Sequence, residues 1–249
     1  MGGATSVLEP RRAAALAALL AAHVTYVAVA DRLWEAPSWL GALVVGLLLL
    51  PSYTAAVWLG LPLWRDEFVR VLAAGLALFG VWIGLDVAGL DALANTTRLA
   101  SYAVLGYWLL TLFEELWWVA LVALLIPWVD IWSVATGPTK YVTEKQPDFF
   151  FHVSVGLPTP GGGGINIGPP DIIFFALFLA AADRFGLRIG WTWVAMTGLL
   201  AVTLFLVWWW ADSGLPALPA VCFGFLLPNA DLIYRHAREV RAASRAAPS

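Results

Sequence analysis

The chain consists of apolar runs close to the roughly 20 residues an α-helix needs to cross about 30 Å of hydrocarbon. Short stretches rich in Arg, Gly, Pro and acidic residues separate them. About eight such runs can be marked, at 13–30, 39–61, 68–90, 98–113, 116–136, 168–187, 190–211 and 216–234. Lipid offers no water to satisfy backbone amides and carbonyls, so runs of this kind fold as helices. With 61% hydrophobic and 12% charged residues, the expected fold is an all-α polytopic membrane protein of about eight transmembrane helices. Only Glu114 and Glu115 divide the fourth run from the fifth, but together the two are far too long for one crossing. The first run follows Arg11 and Arg12 and could alternatively be a signal peptide ending at Ala28-Val29-Ala30. Nothing downstream reads as a secreted domain.

Basic residues set the expected orientation. With both termini in the cytoplasm, the inner set is Arg11, Arg12, Arg65, Arg70, Arg184, Arg188, Arg235, Arg238, Arg241 and Arg245. The outer set is Arg32, Arg98, Lys140 and Lys145, and this excess inside obeys the positive-inside rule. The segment 136–167 then lies outside. The arginine and alanine bias, with Lys140 and Lys145 the only lysines, suggests a GC-rich bacterial genome and hence a bacterial plasma membrane. Trp208, Trp209 and Trp210 suit an interfacial anchor. Cys222 is the single cysteine, which excludes an internal disulfide and a multi-cysteine metal site. A net charge of −3 with dispersed basic residues gives no footprint for nucleic acid.

Two carboxylates stand out against this background. An ionised group in hydrocarbon costs several kcal/mol unless it is neutralised, paired or hydrated, so an intramembrane acid is a functional hypothesis by default. Asp130 lies about fourteen residues into an outward-going run, and Asp171 lies a few residues into the next, inward-going one. Both therefore reach similar depth in the outer half of the membrane. The last run starts on the same side at Leu215-Pro216-Ala217-Leu218-Pro219, where closely spaced prolines leave backbone groups unpaired. Such backbone is tolerated at that depth only where it is buried in protein or lines a cavity.

Trp128-Val129-Asp130-Ile131, Gly168-Pro169-Pro170-Asp171 and Leu215-Pro216-Ala217-Leu218-Pro219 occur in this order. Together they resemble the three signature regions of the presenilin and signal peptide peptidase family, the GxGD-type intramembrane aspartyl proteases. Glu115-Leu116-Trp117, Gly137-Pro138 followed by Lys140, and Phe223-Gly224 add to the likeness, which covers residues 114 to 226. The resemblance implies a presenilin-like bundle. Four N-terminal spans would occupy 1–113, catalytic-type helices 114–234 and a basic cytoplasmic tail 235–249. It implies Asp130 and Asp171 as a catalytic dyad, with Gly168, Pro170, Pro216, Ala217 and Leu218 shaping the site. No metal or organic cofactor is implied, and the partners would be transmembrane peptides or signal peptides within the bilayer. Two positions depart from the pattern: Val129 replaces the usual tyrosine and Pro170 replaces the second glycine.

Other readings fit some of the same residues. Intramembrane acids beside Gly/Pro-broken helices also mark proton-coupled transporters, although the chain has no visible internal repeat. A noncatalytic relative that binds membrane helices is equally compatible with Pro170 and Val129. Asp86, Asp91, Asp183, Asp212 and Asp231 read as solvated acids near helix ends. Gly161 to Gly164 lacks the P-loop lysine and reads as a flexible linker. Phe149 to Val155 is aromatic and β-branched, and it either forms a short strand able to pair with an extended peptide or lies on the headgroups. His23, His152 and His236 are too scattered to suggest a metal site.

Overall fold

The computed structural model describes residues 8–138, 141, 145–210 and 215–246. Readings that rest on Lys140 or Asp212 lie outside these residues, as does the Trp210 side chain. The chain folds as helices in the order α1 (Pro10–Val29), α2 (Ser38–Leu43), α3 (Leu50–Gly60), α4 (Phe68–Val87), α5 (Asp91–Leu110) and α6 (Leu116–Ala135). A short helix α7 (Pro147–Val153) leads into the strands β1 (Val155–Pro158) and β2 (Gly164–Ile167). Helices α8 (Pro169–Arg184), α9 (Ile189–Trp210), α10 (Leu218–Leu226) and α11 (Ala230–Ala246) complete it. A π-helical stretch, Val44–Leu49, joins α2 to α3. It falls just before Pro51, which has no amide to donate into the preceding turn.

Among the described residues, five helical stretches are long and apolar enough to cross a membrane: Pro10–Arg32, Ser38–Arg65, Phe68–Val87, Leu116–Ala135 and Ile189–Trp209. Apart from the β1–β2 hairpin, the described chain is helical and of membrane character. The other expected spans differ for physical reasons. Helix α5 starts at Asp91 rather than at residue 98, and its first turns carry Asn95, Thr96 and Arg98, all buried in protein. Helix α8 has 16 residues and is buried around its whole circumference from Phe175 to Ala182, because it runs through the middle of the bundle. The expected run 216–234 is divided. A 3-10 turn at Leu227–Asn229, containing Pro228, separates α10 from α11. The fully buried Asn229 holds this break together, donating to Thr192 Oγ1 at 2.7 Å and to the Phe225 carbonyl at 2.8 Å. The basic tail continues as helix to Ala246.

Helix α5 is the hub, packed against α4, α8, α1 and α3. At its crossing with α8, a Cβ on Gly106 would lie 2.4 Å from the Ile173 carbonyl oxygen, so the two backbones nearly touch. Small residues make such contacts in membranes, where tight packing replaces the hydrophobic drive between helices.

Several acids read as solvated are ion-paired. Asp86 accepts from Arg98 Nη2 at 3.0 Å, Asp183 from Trp64 Nε1 at 2.8 Å and Arg65 Nη2 at 2.7 Å, and Asp231 from Arg188 at 2.6 Å. The Arg188 hydrogen bond holds the Asp231 carboxyl down at about 2. Arg98, placed above in the outer set, is 5% exposed, donates to the Ser154 carbonyl at 2.5 Å and sits 4.7 Å over the Trp82 ring. Arg98→Leu removes one partner of this largely buried pair and is expected to cost about 3 kcal/mol. Denaturant unfolding in detergent measures it, and an unchanged midpoint would show that the pair carries no stability.

Two loop readings are corrected. Phe149 to Val153 belongs to helix α7, and the strand begins two residues later at Val155. The glycine run is a docked hairpin turn, not a linker. Gly161, Gly162, Gly163 and Gly164 have φ of 85°, 100°, 77° and 138°, which side chains rarely tolerate. The Gly161 amide donates to the Ala30 carbonyl at 2.9 Å, and the Ala36 amide to the Pro160 carbonyl at 3.2 Å.

A candidate dyad at the start of helix α10

Helix α6 turns Asp130 inward by its residue spacing. Leu116, Val119, Ala120, Ala123 and Pro127 form its buried stripe, and Asp130 continues that stripe one turn beyond Pro127. Its neighbours Trp128, Val129, Ile131 and Trp132 are exposed on the other side, between 43% and 73%. Pro127 withdraws the amide that would bond the Ala123 carbonyl, loosening the helix one turn before the carboxylate.

The inward carboxylate meets the proline-rich start of α10. Asp130 Oδ2 accepts the Leu218 backbone amide at 3.1 Å. Helix α10 has no side-chain cap of its own, and Pro219 in its first turn has no amide to offer. Asp130 therefore caps α10 from another helix, with its charge at the positive end of the helix dipole. Pro216 and Ala217 form the bend that presents this amide, and the Ala217 carbonyl accepts from Ala220 at 3.0 Å.

Asp171 arrives from the opposite direction. Pro169 and Pro170 occupy the first turn of α8, where a missing amide costs nothing, and Asp171 follows as the acid of that turn. Its own amide donates to the Gly168 carbonyl at 3.2 Å. A Cβ on Gly168 would lie 3.2 Å from Asp171 Oδ2, so this glycine leaves room for the carboxylate. Cys222 lies one turn along α10 from Leu218, and α8, which carries Asp171, packs against both α6 and α10. Asp130, Asp171 and the Pro216-Ala217-Leu218 bend thus belong to three elements, α6, α8 and α10, that pack together. Cys222, fully buried, is an addition; its four-residue spacing from Leu218 was the available signal. Among the described residues, no three His, Cys, Asp or Glu side chains gather in a way that could hold a metal ion.

The two loop positions separate in a test. Pro170→Gly is expected to lower stability by about 0.5–1 kcal/mol through the unfolded chain and leave the site intact. Gly168→Ala pushes on the Asp171 carboxylate and is expected to lower any activity of the pair roughly ten- to hundredfold. Thermal unfolding and turnover of the two variants, measured together, check this.

A second polar region lies apart from the carboxylates. A cavity of about 530 Å³ is bordered by Asp86, Asp91, Asn95 and Arg98, by His152 of α7 and by the hairpin. Neither aspartate of the pair lines it.

Fold and site together describe a helical protein of membrane character in which Asp130 caps the proline-bounded start of α10 and Asp171 stands in the first turn of the adjoining α8. Comparison of the chain with family models, curated proteins and solved structures gave no match.

Proposed function

We propose that the protein is an intramembrane aspartyl protease that hydrolyses peptide bonds in or near transmembrane segments. The observation that carries this reading is the convergence of Asp130, Asp171 and the Pro216-Ala217-Leu218 bend, from three separate parts of the chain, on one point. In this reading Asp130 and Asp171 act as one pair that shares a proton, because two neighbouring carboxylates do not readily both ionise. The ionised member takes a proton from water, whose oxygen adds to the scissile carbonyl carbon, while the other gives its proton to the carbonyl oxygen. Collapse of the tetrahedral diol breaks the C–N bond. The leaving nitrogen takes the proton gained from water and a diol hydroxyl returns one to the pair, leaving an acid and an amine. The pair titrates as a unit, so neither residue has a fixed role.

The hairpin supports a way to hold an extended substrate. Gly156 directs its amide and carbonyl away from β2, to Asn95. Its cross-strand partner Asn166 therefore points its own amide and carbonyl outward, because antiparallel pairs alternate in this way. An unwound peptide could add to that edge four residues before the pair's Asp171 is reached from Ile167.

Orientation follows the arginines. Arg12 bonds the Trp58 and Leu59 carbonyls, Arg184 bonds the Leu110 carbonyl, and Arg65 and Arg188 pair with Asp183 and Asp231. These contacts gather four of the inner set at one end of the bundle, which supports both termini lying on the cytoplasmic side. Signal-peptide remnants and single-span proteins with cytoplasmic N-termini are then the substrate class.

The test is proteolysis of single-span substrates, in both orientations, by the purified protein in detergent. Cleavage within or next to the apolar segment is the expected result. A folded protein that binds but cuts none of them would replace this reading with that of a noncatalytic helix-binding protein.

A further inference from the structure

Asn95 lies one turn into α5 and is 7% exposed. Asparagine is a poor helix former, and its carboxamide is costly to bury unless all its polar atoms find partners. Here they find them on one strand residue. The Gly156 amide donates to Asn95 Oδ1 at 2.8 Å, and Asn95 Nδ2 donates to the Gly156 carbonyl at 2.9 Å. The same Nδ2 lies 3.3 Å from Tyr53 Oη, whose hydroxyl also donates to that carbonyl at 3.3 Å. A donor and an acceptor offered side by side are what a neighbouring strand presents. Asn95 therefore stands where a third strand would lie, on the side of β1 away from β2.

Beyond the turn, which the Ala30 carbonyl and the Ala36 amide hold, the other ties from helices to β1 and the residues before it take one backbone carbonyl each. Tyr26 bonds Pro158, Arg98 bonds Ser154 and Tyr102 bonds Val153. Only carbonyls are held by these three, so they restrain the segment without fixing a register. Asn95 grips both polar groups of Gly156, and Gly156 is paired across the ladder with Asn166. One row thus runs from Asn95 through Gly156 to Asn166 and ends on the open edge of β2. From Ile167, at the end of β2, the chain reaches Asp171 through Gly168 and the two prolines, a path with little freedom to absorb a slip.

We infer that Asn95 is a positioning residue for peptide cleavage: by clamping Gly156 it sets the register of the hairpin, and so the place of the β2 edge and of Asp171 relative to Asp130. This rests on the protease reading above. Asn95 touches neither carboxylate and acts only through the hairpin.

The experiment compares wild type with Asn95→Ala, which loses both bonds, and Asn95→Asp, which keeps the size and the acceptor but turns an oxygen toward the Gly156 carbonyl. Three quantities are read on one single-span substrate: kcat and KM separately, the distribution of cleavage positions by mass spectrometry, and amide exchange across residues 155–167. In Asn95→Ala, kcat is expected to fall about tenfold with KM within about twofold. Cleavage should spread to neighbouring bonds and the hairpin amides should exchange faster, with Asn95→Asp showing the same changes. A merely structural role would lower the yield of folded protein without altering the ratio of products. Folded variants that keep the wild-type kcat and cleavage positions would overturn the inference, even with faster exchange. If wild type itself cuts no substrate, the protease reading fails and this one with it, an outcome told apart because the unmutated protein is silent.

Discussion

With Asp130 and Asp171 as the proposed protease dyad, Asp130→Asn and Asp171→Asn are each expected to reduce cleavage at least about a thousandfold, with the double variant no worse than either alone. General acid–base catalysis by a positioned group contributes roughly 10²–10⁴. Groups that work as a unit lose their effect together rather than additively. Asparagine keeps the size of aspartate and an acceptor oxygen, so the Asp130→Asn side chain would still receive the Leu218 amide that Asp130 accepts at 3.1 Å. The helix start at α10 is therefore preserved while the proton chemistry is lost. The Asp171→Asn side chain likewise fits beside Gly168, whose missing Cβ leaves space for a group of this size. Thermal unfolding of both variants should stay near wild type while turnover disappears. Full activity in either folded variant would remove the dyad from the mechanism. Additive losses would point to two carboxylates acting separately rather than as one pair.

The parts of this site legible in the sequence were those that depend on local rules. A carboxylate in an apolar run demands a partner, and the spacing Ala123, Pro127, Asp130 places it on the buried stripe of α6. Two consecutive prolines before Asp171 read as a helix start, and α8 begins there. The turn at Glu114 and Glu115 also fell between two helices, α5 and α6. What the sequence did not disclose depends on contacts distant in the chain. Arg98 and Asp86 look like interfacial charges until α4 and α5 pack side by side and bring them to 3.0 Å. Asn95 is an ordinary polar residue until Gly156, 61 residues away, is placed against it.

Hydropathy also weighs lipid-facing helices more heavily than interior ones. Helix α5 can carry Asn95, Thr96, Arg98 and Ser101 because protein, not lipid, surrounds them. Helix α8 is shorter than a full crossing and is enclosed by protein on every side from Phe175 to Ala182. A periodic apolar pattern thus locates the outer wall of a bundle more reliably than its centre. The glycine run shows the same limit from the other side. Composition marks it as flexible, whereas its positive φ angles and its bond to the Ala30 carbonyl fix it against the loop after α1.

Gly106→Leu is expected to produce the largest loss of stability, about 3 kcal/mol or more. The added Cβ would meet the Ile173 carbonyl oxygen at 2.4 Å and the Ala176 Cβ at 2.7 Å. The first of these is backbone, so no rotation of a neighbouring side chain relieves it, and α8 must move away from α5. Gly84 on α4 provides the contrast. Nothing lies within 4 Å of a Cβ built there, so Gly84→Ala is expected to stabilise by about 0.5–1 kcal/mol through helix propensity alone. Denaturant unfolding of the two variants in the same detergent measures both signs. The effect at Gly106 should extend to the chemistry, since Ile173 follows Asp171 by two residues on the same helix. A folded Gly106→Ala variant is therefore expected to lose turnover along with stability, whereas Gly84→Ala keeps both. Equal behaviour of the two would mean that the α5–α8 crossing neither limits stability nor sets the position of Asp171.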